Sequence, residues 1–502
     1  MRRGGCPHLP SRAQARQSLV RRYKQIAELR SAGQMRTSAP TLNLESNTTH
    51  AMKSRRSAIA LLFLLLVVGL LQYGRAQTPP LTIRLAGDEW FLDSLTKTGL
   101  ISEYEHRNGV HVEVLHKNDR TIMGDLDRGS SRGDTLDVIV VRHRLLGELV
   151  RKNQVQPIDP FLSDSSVHDP TFTPTQQLFP NWWRELSTYD GRTYGYPYIG
   201  LTTFLCYRKD LLNDAANQRN FQSRYHRELK PPTTWQEYSQ LAEFFTRSEG
   251  HLYGTYIQGK QGLALWYEWL NLIYSFGGNI LDTQHGWEYG DIVINSPQNV
   301  AATEQYAKLI AFSPLDTLKY GWGEAQSALQ QGHVFIGLLW NDQAPFLEDP
   351  AVSKVAGKIG YSLIPSTSGK PFSQMEGLTY LIPTESKYPR EAYRFLEWAM
   401  SEQVQIQQTL KGGASIRESV YDDPNVKAIP YTSTFLASVP VAKSKPTIPE
   451  SAAMIEAMER HVADILNGRA SAQSGLDSLA LDLQRILGGK SRLRYPVKTG
   501  SL

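Results

Sequence analysis

The chain has 502 residues, a formal net charge of +5 and two cysteines. The positive charge is confined to the front: beyond residue 76 there remain 41 Lys and Arg against 47 Asp and Glu, so the larger part is mildly acidic. That balance argues against nucleic acid or anionic lipid as a partner, and Cys206, alone after residue 76, allows neither an intramolecular disulfide nor a Cys-rich metal motif.

Residues 1–51 are rich in Arg, Ser and Gln with little periodicity, and read as a disordered or untranslated extension. Met52 opens a second candidate start: Lys53, Arg55 and Arg56, then an apolar run over 58–71, then Gly74 and Ala76. At about fourteen residues the run is short for a permanent membrane helix. A basic front, a short apolar centre and small residues at the end describe a cleavable export signal over 52–76. Retained, the same stretch would act as a signal anchor with its basic flank inside. No Cys stands at the cleavage point to carry a lipid. The expectation is a periplasmic protein, membrane-anchored only if the signal stays uncleaved.

After the signal, 81–86 alternates and reads as a first strand, 95–108 has helical spacing and stops at Gly109, and 110–115 is a second alternating strand. A short helix over 122–127 precedes 136–141, a β-branched run of the kind buried on both faces of a parallel sheet. A helix over 144–151 follows. This rhythm predicts a doubly wound α/β lobe with ligand contacts at the carboxyl ends of its strands. Those ends carry Asp88, Glu89 and Trp90, then Asp119, then Arg142. Further on, 201–207 reads as one strand, helices are expected over 234–247, 264–276, 297–311 and 324–331, and a strand over 334–339 ends at Trp340. A strand over 379–382, helices over 389–400 and 402–410, and a helical tail over 449–466 and 475–487 complete the pattern of two α/β lobes with several crossings between them.

Several segments, in this order, resemble the family 1 extracellular solute-binding proteins of ABC importers. They begin with Tyr196-Pro-Tyr, Cys206-Tyr-Arg-Lys-Asp-Leu-Leu and Pro231-Pro-Thr-Thr-Trp. Phe276-Gly-Gly-Asn-Ile-Leu-Asp and Ala328-Leu-Gln-Gln-Gly leading to Trp340 follow. Pro389-Arg-Glu-Ala-Tyr-Arg-Phe-Leu, Gly412-Gly-Ala-Ser-Ile-Arg and Tyr421-Asp-Asp-Pro complete the series. Each is weak alone; the ordered set spans nearly all of 81–488. The resemblance implies two doubly wound α/β lobes joined by a multi-crossing hinge, as in type II periplasmic binding proteins. One lobe would take 81–198 plus 375–439 and the other 199–374 plus 440–502. It further implies a monomer that captures a small-molecule solute, a carbohydrate above all, and delivers it to the membrane subunits of an ABC transporter, with no cofactor and no metal.

A sugar presents hydroxyl edges and C–H faces, so planar polar groups and aromatic rings are the side chains to look for. Trp340, where the family stacks a ring, is the leading candidate, ahead of Trp322 in its Gly321-Trp-Gly323 setting. Asp88, Glu89 and Trp90 follow strand one, although Asp88 is also placed to cap the next helix. Asp119 and Arg142 follow strands two and three; Tyr198 and Glu376 sit at expected crossovers. Gln258 and Gln261 flank a glycine loop, and Arg417 follows a glycine-rich turn. The tryptophans at 182, 183, 235, 266, 269 and 398 read as structural. Arg142, with Lys260 and Arg417, makes an anionic sugar derivative an open alternative. A polyamine or glycerol-phosphate ligand and a membrane-anchored sensor domain are the others. No nucleophile elbow, zinc-protease motif or P-loop occurs, so enzyme chemistry is not expected.

Overall fold

A computed structural model describes residues 81–129, 135–246 and 252–497. The expected extension and export signal lie outside them. Among the described residues no helix is long and apolar enough to cross a membrane.

The first lobe begins with β1 (Leu81–Gly87), whose last residue hands over to Asp88. The Asp88 carboxylate accepts from the backbone N–H of Trp90 and so starts α1 (Glu89–Thr96). The single helix expected over 95–108 is interrupted: Gly99 adopts φ +79°, a left-handed turn that only glycine takes cheaply, and α2 (Leu100–Asn108) starts afresh behind it. β2 (Val110–His116) pairs with β1 in parallel, from Leu81 opposite Val110 to Gly87 opposite His116. α3 (Asp119–Arg128), capped by Asn118, leads towards β3 (Val138–Arg142). Alternate residues of β3 feed different cores, Val138 and Val140 one, Ile139 and Val141 the other, as a sheet covered on both faces requires. The lobe continues through α4 (Pro180–Ser187), which buries Trp182 and Trp183, to β4 (Gly195–Leu201).

The strand expected over 201–207 is divided between two sheets. β4 ends at Leu201, and β5 (Thr203–Arg208) starts after the single residue Thr202. In the second lobe α5 (Trp235–Phe245) starts on a capping box between Thr234 and Glu237. α6 (Leu263–Ser275) is buried on nearly every side, beside α7 (Pro297–Lys308). α8 (Trp322–Gln330) is followed by β6 (Ile336–Trp340) and β7 (Ile359–Ser362). The chain returns to the first lobe with β8 (Glu376–Leu381), α9 (Pro389–Ala399) and α10 (Glu402–Leu410), which pack against β4 and α1. It ends on the second lobe with α11 (Ser451–Leu466) and α12 (Ala472–Leu487), docked on α6 and α7.

The larger sheet has the order β2-β1-β3-β8-β4, and β8 runs antiparallel to both its neighbours. The first three strands keep the parallel order of the expected doubly wound lobe, and β8 is antiparallel because it enters from the other lobe, at the end where β3 and β4 leave. Gly195 lets β4 and β8 approach: a Cβ there would lie 1.8 Å from the Tyr380 carbonyl oxygen. The smaller sheet, β6-β5-β7, is antiparallel throughout, with β5 in the middle and Cys206 fully buried at its centre. It is therefore narrower than the doubly wound sheet expected for that lobe, and helices supply most of the core.

The crossings between the lobes lie together. Ser373–Gln374 pairs in parallel with Ala442–Lys443. Beside them the Thr202 hydroxyl bonds that of Ser373, and the Thr202 N–H donates to Asn341 Oδ1 at 2.7 Å.

Candidate functional site

Where the carboxyl end of the larger sheet faces the second lobe there is a cavity of about 390 Å3. Loops after strands leave backbone groups and side chains free at this edge, which is why ligands collect at such ends in α/β folds. From the first lobe it is lined by Asp88, Trp90, Phe91, Arg142 and Glu376. From the second come Tyr267, Trp322, Trp340, Asp342 and Gln343, together with Gln326.

Trp90 reaches across the cleft. Its ring stacks on Phe346 with centroids 5.0 Å apart, and its indole N–H donates to Asp342 Oδ2 at 3.3 Å. Asp342, half-buried, has its carboxyl pushed up to about 6, chiefly by burial, which outweighs the Trp90 hydrogen bond and the nearby Arg142 charge. Opposite, Trp340 is 8% exposed and meets Tyr267 edge to face at 5.1 Å. Trp322 is the first residue of α8 rather than part of a loop, and its indole nitrogen is buried with no protein partner. Gln343 Nε2 donates to Gln326 Oε1 at 3.0 Å, which fixes the amide and leaves Oε1 buried without a donor.

At the floor, Glu376 gathers groups from both lobes and a crossing. Lys445 Nζ lies 2.8 Å from Glu376 Oε2, His143 Nδ1 is 2.6 Å from Oε1, and the Tyr267 hydroxyl also donates to Oε2. Burial alone would raise the Glu376 carboxyl; Lys445 and then His143 outweigh it and hold it well below the carboxylate range. Burial lowers His143, with help from the Lys445 charge, so the ring is neutral and its Nδ1–H donates. Burial also takes Lys445 down to about 8, against the pull of Glu376.

Of the residues singled out from the sequence, Asp88, Trp90, Arg142, Trp322, Trp340 and Glu376 come together here. The others lie elsewhere. Glu89 is exposed in the first turn of α1. Asp119 stands behind Arg142, pairing with it at 2.8 Å and with Arg144 at 3.2 Å. Tyr198 is buried in β4, its hydroxyl donating to the Phe91 carbonyl at 2.5 Å, so it belongs to the first-lobe core. Gln258 is buried on the Glu268 carboxylate, while Gln261 is exposed. Arg417 caps the Met400 carbonyl at 3.0 Å and covers the Phe172 ring in a separate groove of the first lobe. The cations behind the anionic alternative are thus not gathered: Lys260 and Arg417 are outside the cavity, and Asp119 meets the charge of Arg142.

Tyr267, Asp342 and Gln343 were not among the residues expected. Asp342 had a signal, two residues beyond Trp340 at the same strand end. Tyr267 had none, since a helix apolar all round hides which face opens on a cavity.

A family model described as bacterial extracellular solute-binding protein matches residues 99–432, more than half of the chain. The chain belongs to that family. This solute-binding protein is 22% identical over 399 residues to the maltodextrin-binding protein MdxE of Bacillus subtilis, covering 74% of the present chain and 82% of that protein. It is 25% identical over 272 residues to a probable amino-acid ABC transporter periplasmic-binding protein, y4oP, of Sinorhizobium fredii, covering 53% of this chain and 59% of that one's length. Among solved structures, an ABC-transporter solute-binding protein of Agrobacterium radiobacter K84 in complex with ribitol superposes with a TM-score of 0.69 at 23% identity, covering 81% of this chain and 98% of that one. The type II two-lobed fold is shared with it. Membership makes this an extracellular solute-binding protein.

Proposed function

We propose that the interlobe cavity captures a small carbohydrate or polyol for import. The observation that carries this reading is the lining itself. Trp90, Trp322 and Trp340 offer ring faces, while Asp88, Asp342 and Arg142 offer hydroxyl partners, with contributions from both lobes. A ligand touching both lobes favours the closed form by the difference in contacts between closed and open states. The ribitol carried by one structural neighbour and the maltodextrin in the name of one relative support the same ligand class. In this reading the lobes are 81–198 plus 375–439 and 199–374 plus 440–502, the protein acts as a monomer, residues 52–76 direct export, and no bond of the ligand is broken.

Thermal-shift screening of the exported protein tests it with monosaccharides, polyols, maltodextrins, amino acids and polyamines. A carbohydrate or polyol at about 100 times its Kd should stabilise the protein by about 2.7 kcal/mol through mass action. A shift confined to amino acids or polyamines would overturn the reading, and hydrolysis of a bound sugar would overturn its non-catalytic part.

A further inference from the structure

The ionised groups around the cavity do not balance. Asp119 is shared by Arg142 at 2.8 Å and Arg144 at 3.2 Å, and Glu376 is matched by Lys445 at 2.8 Å. Three cations thus meet two carboxylates there and, with Asp88 and Asp342 added, one negative charge is in excess. Asp88 and Asp342, by contrast, have no ion-pair partner among the described residues. They face the space from opposite lobes, and one residue links them: the Trp90 backbone N–H donates to Asp88 Oδ1 at 3.0 Å and its indole N–H to Asp342 Oδ2 at 3.3 Å.

The unpartnered hydrogen-bonding groups are mixed, so an ammonium would need hydroxyls beside it. The buried Gln343 Oε1 has no donor, and its amide cannot turn without giving up the bond to Gln326. On the donor side stand the Trp322 indole N–H and the remaining N–H groups of Arg142. Around these, Trp90, Trp322, Trp340 and Tyr267 present electron-rich rings. Tyr267 links two of the tryptophans, 5.1 Å from Trp340 and 6.4 Å from Trp322 between centroids.

We propose that the solute is an amino sugar or amino polyol, whose ammonium group lies between Asp88 and Asp342 while its hydroxyls take the remaining donors. The proposal rests on the carbohydrate reading above. A neutral hydroxyl gives one hydrogen and takes others, so it leaves both carboxylates uncompensated; an ammonium gives three and takes none. It also compensates charge in a desolvated space and is drawn to the rings by cation–π attraction. The rise of the Asp342 carboxyl to about 6 reflects burial that the Trp90 hydrogen bond and the Arg142 charge do not offset, and an arriving ammonium would reverse it.

Matched pairs decide the matter by titration calorimetry on the exported protein at pH 7.5: glucose against glucosamine, and sorbitol against 1-amino-1-deoxysorbitol, with N-acetylglucosamine, gluconate and spermidine as further arms. The amino member of a pair should bind at least about tenfold tighter than the neutral one, with N-acetylglucosamine behaving as neutral. Asp342→Asn and, separately, Asp88→Asn should each reduce the amine preference below about threefold, both variants first being shown to melt cooperatively. Neutral sugars binding as well as their amines, or gluconate binding best, would overturn the ammonium proposal and leave the carbohydrate reading standing. Spermidine binding with no carbohydrate of either kind would overturn the carbohydrate reading, and this proposal with it.

Discussion

Lys445→Met is expected to cost about 3–5 kcal/mol of folding stability at pH 7, measured as a lowered urea midpoint. The lysine is 1% exposed, and its ammonium serves Glu376 at 2.8 Å and the Met375 carbonyl at 3.0 Å. Methionine fills similar space but leaves a carboxylate that is 2% exposed with only neutral hydrogen-bond donors, His143, Tyr267 and the Gly377 backbone N–H. The pH dependence separates charge from packing. The Glu376 carboxyl is held well below its ordinary value, so its contribution is complete above the unfolded carboxyl value and is lost as pH falls through the depressed one. The gap between wild type and variant should therefore close in acid. A gap of constant size from pH 7 to pH 3 would assign the loss to packing instead. The double variant Glu376→Gln with Lys445→Met should recover part of the loss, since two neutral groups leave no charge buried.

Trp340→Ala is expected to weaken the best carbohydrate ligand by about thirtyfold, near 2 kcal/mol, in titration calorimetry. Trp340 ends β6 at the cavity, 8% exposed, and its ring is held by edge contact with Tyr267. A ring fixed before binding gives a sugar face its full contact area with little ordering cost. Truncation removes that wall and frees Tyr267, whose hydroxyl also orders Glu376. An affinity within threefold of wild type would remove Trp340 from the binding surface and move the stacking role to Trp90 or Trp322.

Local patterns in the chain gave away local structure well. The alternation of β1 and β2, the apolar run of β3 and the capping chemistry of Asp88 each act over a few residues, and each is found close to its expected place. Long-range pairing was less legible. Residues 201–207 form one apolar run, yet Leu201 pairs with Glu376 in one sheet and Thr203 with Trp340 in the other. Side-chain periodicity is the same on both sides of such a crossing, so only partners far along the chain divide it. The candidate site shows the same limit. Strand ends pointed to Asp88, Trp90, Arg142 and Trp340, because a strand end has a position in the fold. Gln258 and Gln261 came from loop composition, which carries no direction, and Arg417 from a glycine-rich turn that the family resemblance aimed at the cleft. Tyr267 is brought to the cavity by the burial of a whole helix, which no short pattern encodes.

Cys206 sits at the centre of the middle strand of the smaller sheet, with no exposed surface and a thiol pushed up by burial. Beyond residue 76 the chain contains no other cysteine. A thiol reagent reaches it only when β5 parts from β6 or β7, and the reaction leaves an irreversible record of that event. The protein therefore carries its own clock for the opening of one lobe. Ligand that slows the clock would tie binding in the cleft to the cohesion of the sheet whose edge, at Trp340, lines it, with no label added.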